Sequence, residues 1–158
     1  MTDEPEIQDL EGSLGSYKAK VATTFKGTLT WDKDLIFLGR TQKGYEIDYD
    51  ANVEWGCQPS EPVMMSLAAC ISTDCLMFLQ KMKATITAMK TNITGIKQES
   101  PPHYFTGFDI MLYITGKNLT EKKVDRALDL SINKYCGVYH SLRRDIKLNI
   151  KYELTKEE

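Results

Sequence analysis

Histidine is scarce in this 158-residue chain, and its cysteines are not paired in spacing. His103 and His140 stand isolated, and Cys57, Cys70, Cys75 and Cys136 form no Cys-x-x-Cys motif. The spacings that mark structural zinc are therefore missing, and no metal site is expected. An excess of basic charge is missing too. Twenty Lys and Arg against 22 Asp and Glu leave a net charge of -2, which excludes the electrostatic footprint of a nucleic-acid or membrane-surface binder. Internal repeats and low-complexity tracts are absent. Residues 1–15 carry Asp3, Glu4, Glu6, Asp9 and Glu11 and no base, the opposite of a signal or transit peptide. The expectation is a cytoplasmic protein with a short acidic flexible tail over 1–15 and a single domain over 16–158. The length leaves no room for a second full domain. In a reducing compartment four cysteines are seldom disulfides; they act as buried small hydrophobes, metal ligands or redox groups.

What is present is a change of period along the chain. Tyr17, Ala19, Val21, Thr23 and Phe25 alternate, as do segments at 28–31, 35–38 and 45–50, so the first third reads as strands in a β-meander. From Ser60, a candidate N-cap, with Glu61 at the positive end of the dipole and Pro62 in the first turn, the spacing predicts a helix over 63–82. Between Val63 and Leu79 its only charge is Asp74. The run is too short and too interrupted by Ser66, Ser72, Thr73 and Asp74 for a membrane span, so a core helix partly covered by a second subunit is expected. Strands over 85–97 and 104–115 form a hairpin, Thr120 caps a second helix that stops near Gly137, a helical turn follows, and Ile146, Leu148, Ile150 and Tyr152 alternate in a last strand. The order strands, helix, strands, helix, strand is α+β.

Cys70 sits in the apolar helix beside Ala68 and Ala69. Packing alone makes it a core residue, yet small neighbours also let a ligand approach, and Asp74 shares its face one turn on. That carboxylate disfavours a thiolate, so a reactive Cys70 needs a cation nearby. Cys136 lies in Lys134-Tyr135-Cys136-Gly137-Val138 with His140, Arg143 and Arg144 close behind. Those bases read either as complements of a helix C-terminus or as groups that help ionise Cys136.

Pro59-Ser60-Glu61, then Ser66-Leu67-Ala68-Ala69-Cys70, Asp74 and Leu79-Gln80-Lys81, and later Lys134-Tyr135-Cys136-x-Val138 with Ser141-Leu142-Arg143 resemble the OsmC/Ohr family of osmotically induced and organic-hydroperoxide-resistance proteins. The likeness is to the OsmC-like subgroup and runs over about 26–154. It implies antiparallel sheets packed on a central apolar helix and a second helix, in an intertwined homodimer with two sites at its interface. It further implies a cysteine-based peroxidase of organic hydroperoxides, serving oxidative-stress defence. Cys70 matches the attacking cysteine, Cys136 the resolving cysteine, and Glu61 the acid that works with an arginine on the reactive thiolate. A lipoyl-type or other dithiol is the implied reductant, and no metal, haem or flavin is called for. The arginines available are Arg40, Arg126, Arg143 and Arg144. Nine helical residues rise about 13 Å and turn about 900°, so a straight helix sets Glu61 on the far side from Cys70. A non-catalytic dimer of the same fold, binding a small apolar ligand or sensing oxidants through Cys70, is the alternative.

Overall fold

The computed structural model describes residues 22–158. The acidic segment 1–15 and the larger part of the strand expected from Tyr17 to Phe25 lie outside them. Residues 22–26 are not in a strand, and the first one described, β1, begins at Gly27.

Three strands, β1 (Gly27–Lys33), β2 (Ile36–Thr41) and β3 (Glu46–Asp50), form the expected meander, antiparallel in the order β1-β2-β3. Gly39 faces the Tyr49 ring so closely that a Cβ there would lie 2.9 Å from it. Asp50 ends the meander and organises the loop after it. Its carboxylate accepts backbone N–H bonds from Asn52 at 2.8 Å and from Glu54 and Trp55 at 3.1 Å. These donors, Asn52 foremost, hold its pKa below the ordinary carboxylate value.

Helix α1 (Ser60–Lys81) follows. Ser60 is not its cap: Pro59 holds that position with helical dihedrals and makes no side-chain cap bond. Glu61 closes the entry to the helix instead, its Oε2 accepting the Gln58 N–H at 2.7 Å. At the other end Lys83 adopts φ 61°, and Lys83 N–H to Gln80 C=O and Ala84 N–H to Leu79 C=O close a Schellman turn. Leu67, Ile71, Cys75, Phe78 and Leu79 are buried along the helix. Each large apolar side chain among them contributes roughly 1.5–3 kcal/mol by leaving water.

The second sheet has the order β4-β5-β6, with β4 (Thr85–Lys97), β5 (Phe105–Lys117) and β6 (Lys147–Lys156). Phe108, Ile110, Leu112 and Ile114 of the central β5 are buried, as their alternation predicts. The fold class is α+β as expected, with one correction to its all-antiparallel sheets: β4 and β5 form an antiparallel hairpin, but β6 pairs parallel to β5. The chain between them crosses over through helices, and that connection returns β6 in the direction of β5. The crossover comprises α2 (Glu121–Leu130), a π-helical turn (Ser131–Tyr135) and α3 (Gly137–Ser141). Thr120 caps α2 as expected, its Oγ1 accepting the Lys123 N–H at 3.3 Å. Gly137 is not a helix stop; it opens α3.

Helix α1 packs on β4 and α2, and Ser72 Oγ meets Thr91 Oγ1 at 2.7 Å across the first contact. Among the described residues, by contrast, sheet β1-β2-β3 does not pack substantially on any other element. Leu29 and Trp31 are 62% and 63% exposed on it, and Met65 is 57% exposed on α1. Among the described residues α1 is the one helix long and apolar enough to cross a membrane. It is also the helix around which the core forms, and the charge in its middle, Asp74, is fully buried against protein.

Candidate functional site: a dithiol beside a buried carboxylate

One turn of regular α1 geometry puts Cys70 and Asp74 on one face, since residues four apart stack along a helix. Cys136 reaches the same point from the other side of the core. The π-turn carries it there: one extra residue per turn lets the Cys136 N–H reach the Ser131 C=O at 2.7 Å, and such turns recur at functional sites. As a result Cys70 Sγ, Cys136 Sγ and a carboxylate oxygen of Asp74 all lie within 4.8 Å of one another. Cys136 and Asp74 are fully buried, and Cys70 is half-buried, so an incoming molecule meets Cys70 first.

Three acidic groups in so small a volume repel one another when charged. The hydrogen bond shared with Cys70 pushes the Cys136 thiol far above its usual range, and burial and the charges of Cys70 and Asp74 push the same way. The Tyr139 N–H, which donates to Cys136 Sγ at 3.4 Å, opposes them weakly. These influences favour the protonated form of Cys136. This corrects the expectation that Lys134, Arg143 and Arg144 help ionise it. Arg143 is engaged elsewhere, its guanidinium paired with Asp145 at 2.7 Å and stacked 4.0 Å from the Tyr104 ring centroid. Lys134 Nζ lies 5.6 Å from the centroid of the Tyr135 ring.

Asp74 is held by Ser131, whose hydroxyl donates to Oδ2 at 2.9 Å. Sequence reading missed Ser131. The signal available was its place at helical spacing, in line with the apolar face of α2 and directly after it, where a small polar residue must find a buried partner. Cys75 points away from the pair into the core, and its thiol is pushed up to about 12 by burial first and by Asp74 second. Cys57 bridges to β3, its Sγ donating to the Asp48 C=O at 3.4 Å.

The fold thus joins two of the three residues singled out, Cys70 and Cys136, and adds Asp74 to them. Glu61 is not joined to them within one chain. It sits in the first turn of α1 with its carboxylate on Gln58, about 13 Å of helix rise from Cys70. Near Cys70 on α1, Leu67, Ile71 and Phe78 are committed to the core, Phe78 against the Tyr135 ring at 5.7 Å, while Met64 is half-buried. An open cavity of about 370 Å³ lies near the start of α1, lined by Val63, Tyr104, Phe105, Leu142 and Arg143 among others. Neither cysteine lines it.

A mixed α+β fold with a central apolar helix, a crossover helix and a cysteine from each facing the other defines an OsmC-like protein, and the OsmC-like protein family matches residues 49–151. The chain belongs to that family. Protein YhfA of Escherichia coli K12 is 31% identical to it over 125 residues, which make up 78% of this chain and 93% of YhfA. Among solved structures, a hypothetical protein from Aquifex aeolicus is 25% identical with a TM-score of 0.77, covering 87% of this chain and 100% of its own. An organic hydroperoxide resistance protein OsmC from Legionella pneumophila shares the fold, with a TM-score of 0.64 at 13% identity over 85% of this chain and 99% of its own.

Proposed function

We propose that the protein is a thiol-dependent peroxidase that reduces organic hydroperoxides in the cytoplasm, with Cys70 as the attacking and Cys136 as the resolving cysteine. The observation that carries this reading is their convergence: thiols 66 residues apart in sequence meet within 4.8 Å, one reachable from outside and one buried. The Cys70 thiolate attacks a peroxide oxygen, the O–O bond breaks, and the alcohol leaves with a proton. Cys70 is then a sulfenic acid. Cys136 attacks its sulfur, the S–O bond breaks, and the hydroxyl leaves as water with the proton Cys136 gave up. A dithiol of lipoyl type reopens the disulfide by exchange. The buried, protonated state of Cys136 suits a resolving role, since it keeps that thiol from competing for the peroxide.

The working unit in this proposal is a homodimer. Among the described residues, sheet β1-β2-β3 and the exposed side of α1 present Leu29, Trp31, Val63 and Met65 to solvent, apolar side chains that a second copy would cover. A second copy is also what allows a Glu61 to act at a Cys70. The test is consumption of cumene or tert-butyl hydroperoxide with dihydrolipoamide as reductant. Multiple turnovers, abolished in Cys70→Ser, are the expected result. Reaction that stops after one equivalent would favour a redox sensor, and none at all a ligand-binding dimer.

A further inference from the structure

The chemistry that brings two thiols and a carboxylate together also describes a metal site, although the sequence spacing shows none. We propose that Cys70, Asp74 and Cys136 in their reduced state form a three-donor site for a borderline or soft divalent cation such as Zn²⁺, and that disulfide formation ejects it. The donors are Cys70 Sγ, Cys136 Sγ and an Asp74 carboxylate oxygen, mutually within 4.8 Å. Tetrahedral zinc, with Zn–S near 2.3 Å and Zn–O near 2.1 Å, needs donors about 3.6–3.8 Å apart. The trio closes to that by a shift of about 1 Å or less in each side chain, well within rotamer adjustment of the half-buried Cys70.

Three features of the surroundings support the assignment. Cys70 and Asp74 stand at i and i+4 on one rigid helix, which fixes two donors on the same side. Asp74 is oriented by the Ser131 hydroxyl at 2.9 Å, the Cys136 backbone is set by the π-turn bond to the Ser131 carbonyl at 2.7 Å, and the Tyr139 N–H meets Cys136 Sγ at 3.4 Å, so Ser131 and Tyr139 give the outer support that metal ligands need. The charges also fit. With both thiols ionised the trio carries three negative charges in a buried space, and a divalent cation offsets two of them.

Binding exchanges the metal for two thiol protons, so affinity rises with pH. Two sulfur donors select Zn²⁺, Co²⁺ or Cd²⁺ over Mg²⁺ and Ca²⁺. A two-electron thiol oxidant such as diamide takes up the two electrons as the two thiolates join in a disulfide, and becomes the hydrazine with two protons from water; two of the three donors are lost and the cation leaves. This inference uses the same side chains as the peroxidase reading but not that reading itself, since it needs only reduced thiols.

The test titrates the fully reduced protein with Co²⁺ under argon and follows the thiolate-to-cobalt charge-transfer absorption. One equivalent should saturate it, Zn²⁺ should displace it, and excess Mg²⁺ should not. The band should vanish in Cys70→Ser, in Cys136→Ser and in wild type oxidised with diamide. It should need at least ~10-fold more metal in Asp74→Asn, and persist in Cys57→Ser and Cys75→Ser. Alkylating Cys70 in the folded wild type, with circular dichroism to confirm the fold, should also abolish it, which guards against a variant that fails to fold. Absence of the band in reduced wild type, its survival in Cys136→Ser, or an unchanged affinity in Asp74→Asn would overturn the proposal. No peroxide enters the readout, so a protein without turnover can still bind cobalt, and one with turnover can still fail to.

Discussion

Oxidation with one equivalent of cumene hydroperoxide should link Cys70 to Cys136 within one chain and make the protein markedly more stable. The two sulfurs start within 4.8 Å and must close to about 2.05 Å. Cys75 is nearer in sequence but cannot compete: five residues along α1 separate two Cα atoms by about 7.5 Å of rise and about 140° of rotation, or roughly 8.6 Å in all, beyond the ~7 Å reach of a disulfide. The Cys70–Cys136 link closes a loop of 66 residues, which in the chain-entropy account removes about 4 kcal/mol of freedom from the unfolded state. For a chain of this size that corresponds to a rise in Tm of roughly 8–17 °C. The assay is differential scanning calorimetry of reduced and oxidised protein beside peptide mapping without reductant, and a non-reducing gel should show the monomer band. A Cys70–Cys75 peptide, a link between chains, or sulfinic acid on Cys70 with Cys136 still free would refute the reasoning. So would a correct link with no gain in Tm, because it would mean that closing the sulfurs strains the π-turn by as much as the loop closure gains.

Four further outcomes are expected. Cys75, buried with its pKa pushed up to about 12, should resist iodoacetamide at pH 8 in the folded protein while Cys70 reacts, as mass mapping will show. Lys83 holds a left-handed conformation at φ 61°, so Lys83→Gly should stabilise by about 1 kcal/mol and raise Tm by roughly 2–4 °C. Asp50 has a lowered pKa in the fold, so its contribution is full above the unfolded-chain value near 4 and is lost as pH falls through the folded value; Asp50→Asn should melt earlier at pH 7, with the gap to wild type closing below pH 4. Sedimentation at micromolar concentration should show a dimer of the 18.0 kDa chain, and a well-folded monomer would count against the shared interface.

Much of the architecture was written in local pattern. The strand over 85–97 ends where its alternation ends, at Thr85 and Lys97, because each side chain's facing is decided by period two alone. The Thr120 cap was legible for the same reason: a capping hydroxyl answers N–H groups only three residues away. Cys70 and Asp74 could be placed together because a helix fixes the i to i+4 relation by itself. Ser60 was misread as a cap because Glu61 reaches Gln58 just as readily, and local pattern does not rank two such neighbours. Beyond that range the sequence was silent. It does not say that β6 lies parallel to β5, since pairing direction follows from how the crossover packs. Nor does it say where the bases near Cys136 go: Arg143 turns to Asp145 and Tyr104, while Cys136 turns inward to Cys70. The meeting of Cys70, Asp74, Ser131 and Cys136 was decided only when α1 and the π-turn packed together, because side chains about sixty residues apart are neighbours through burial, and burial is a property of the whole fold.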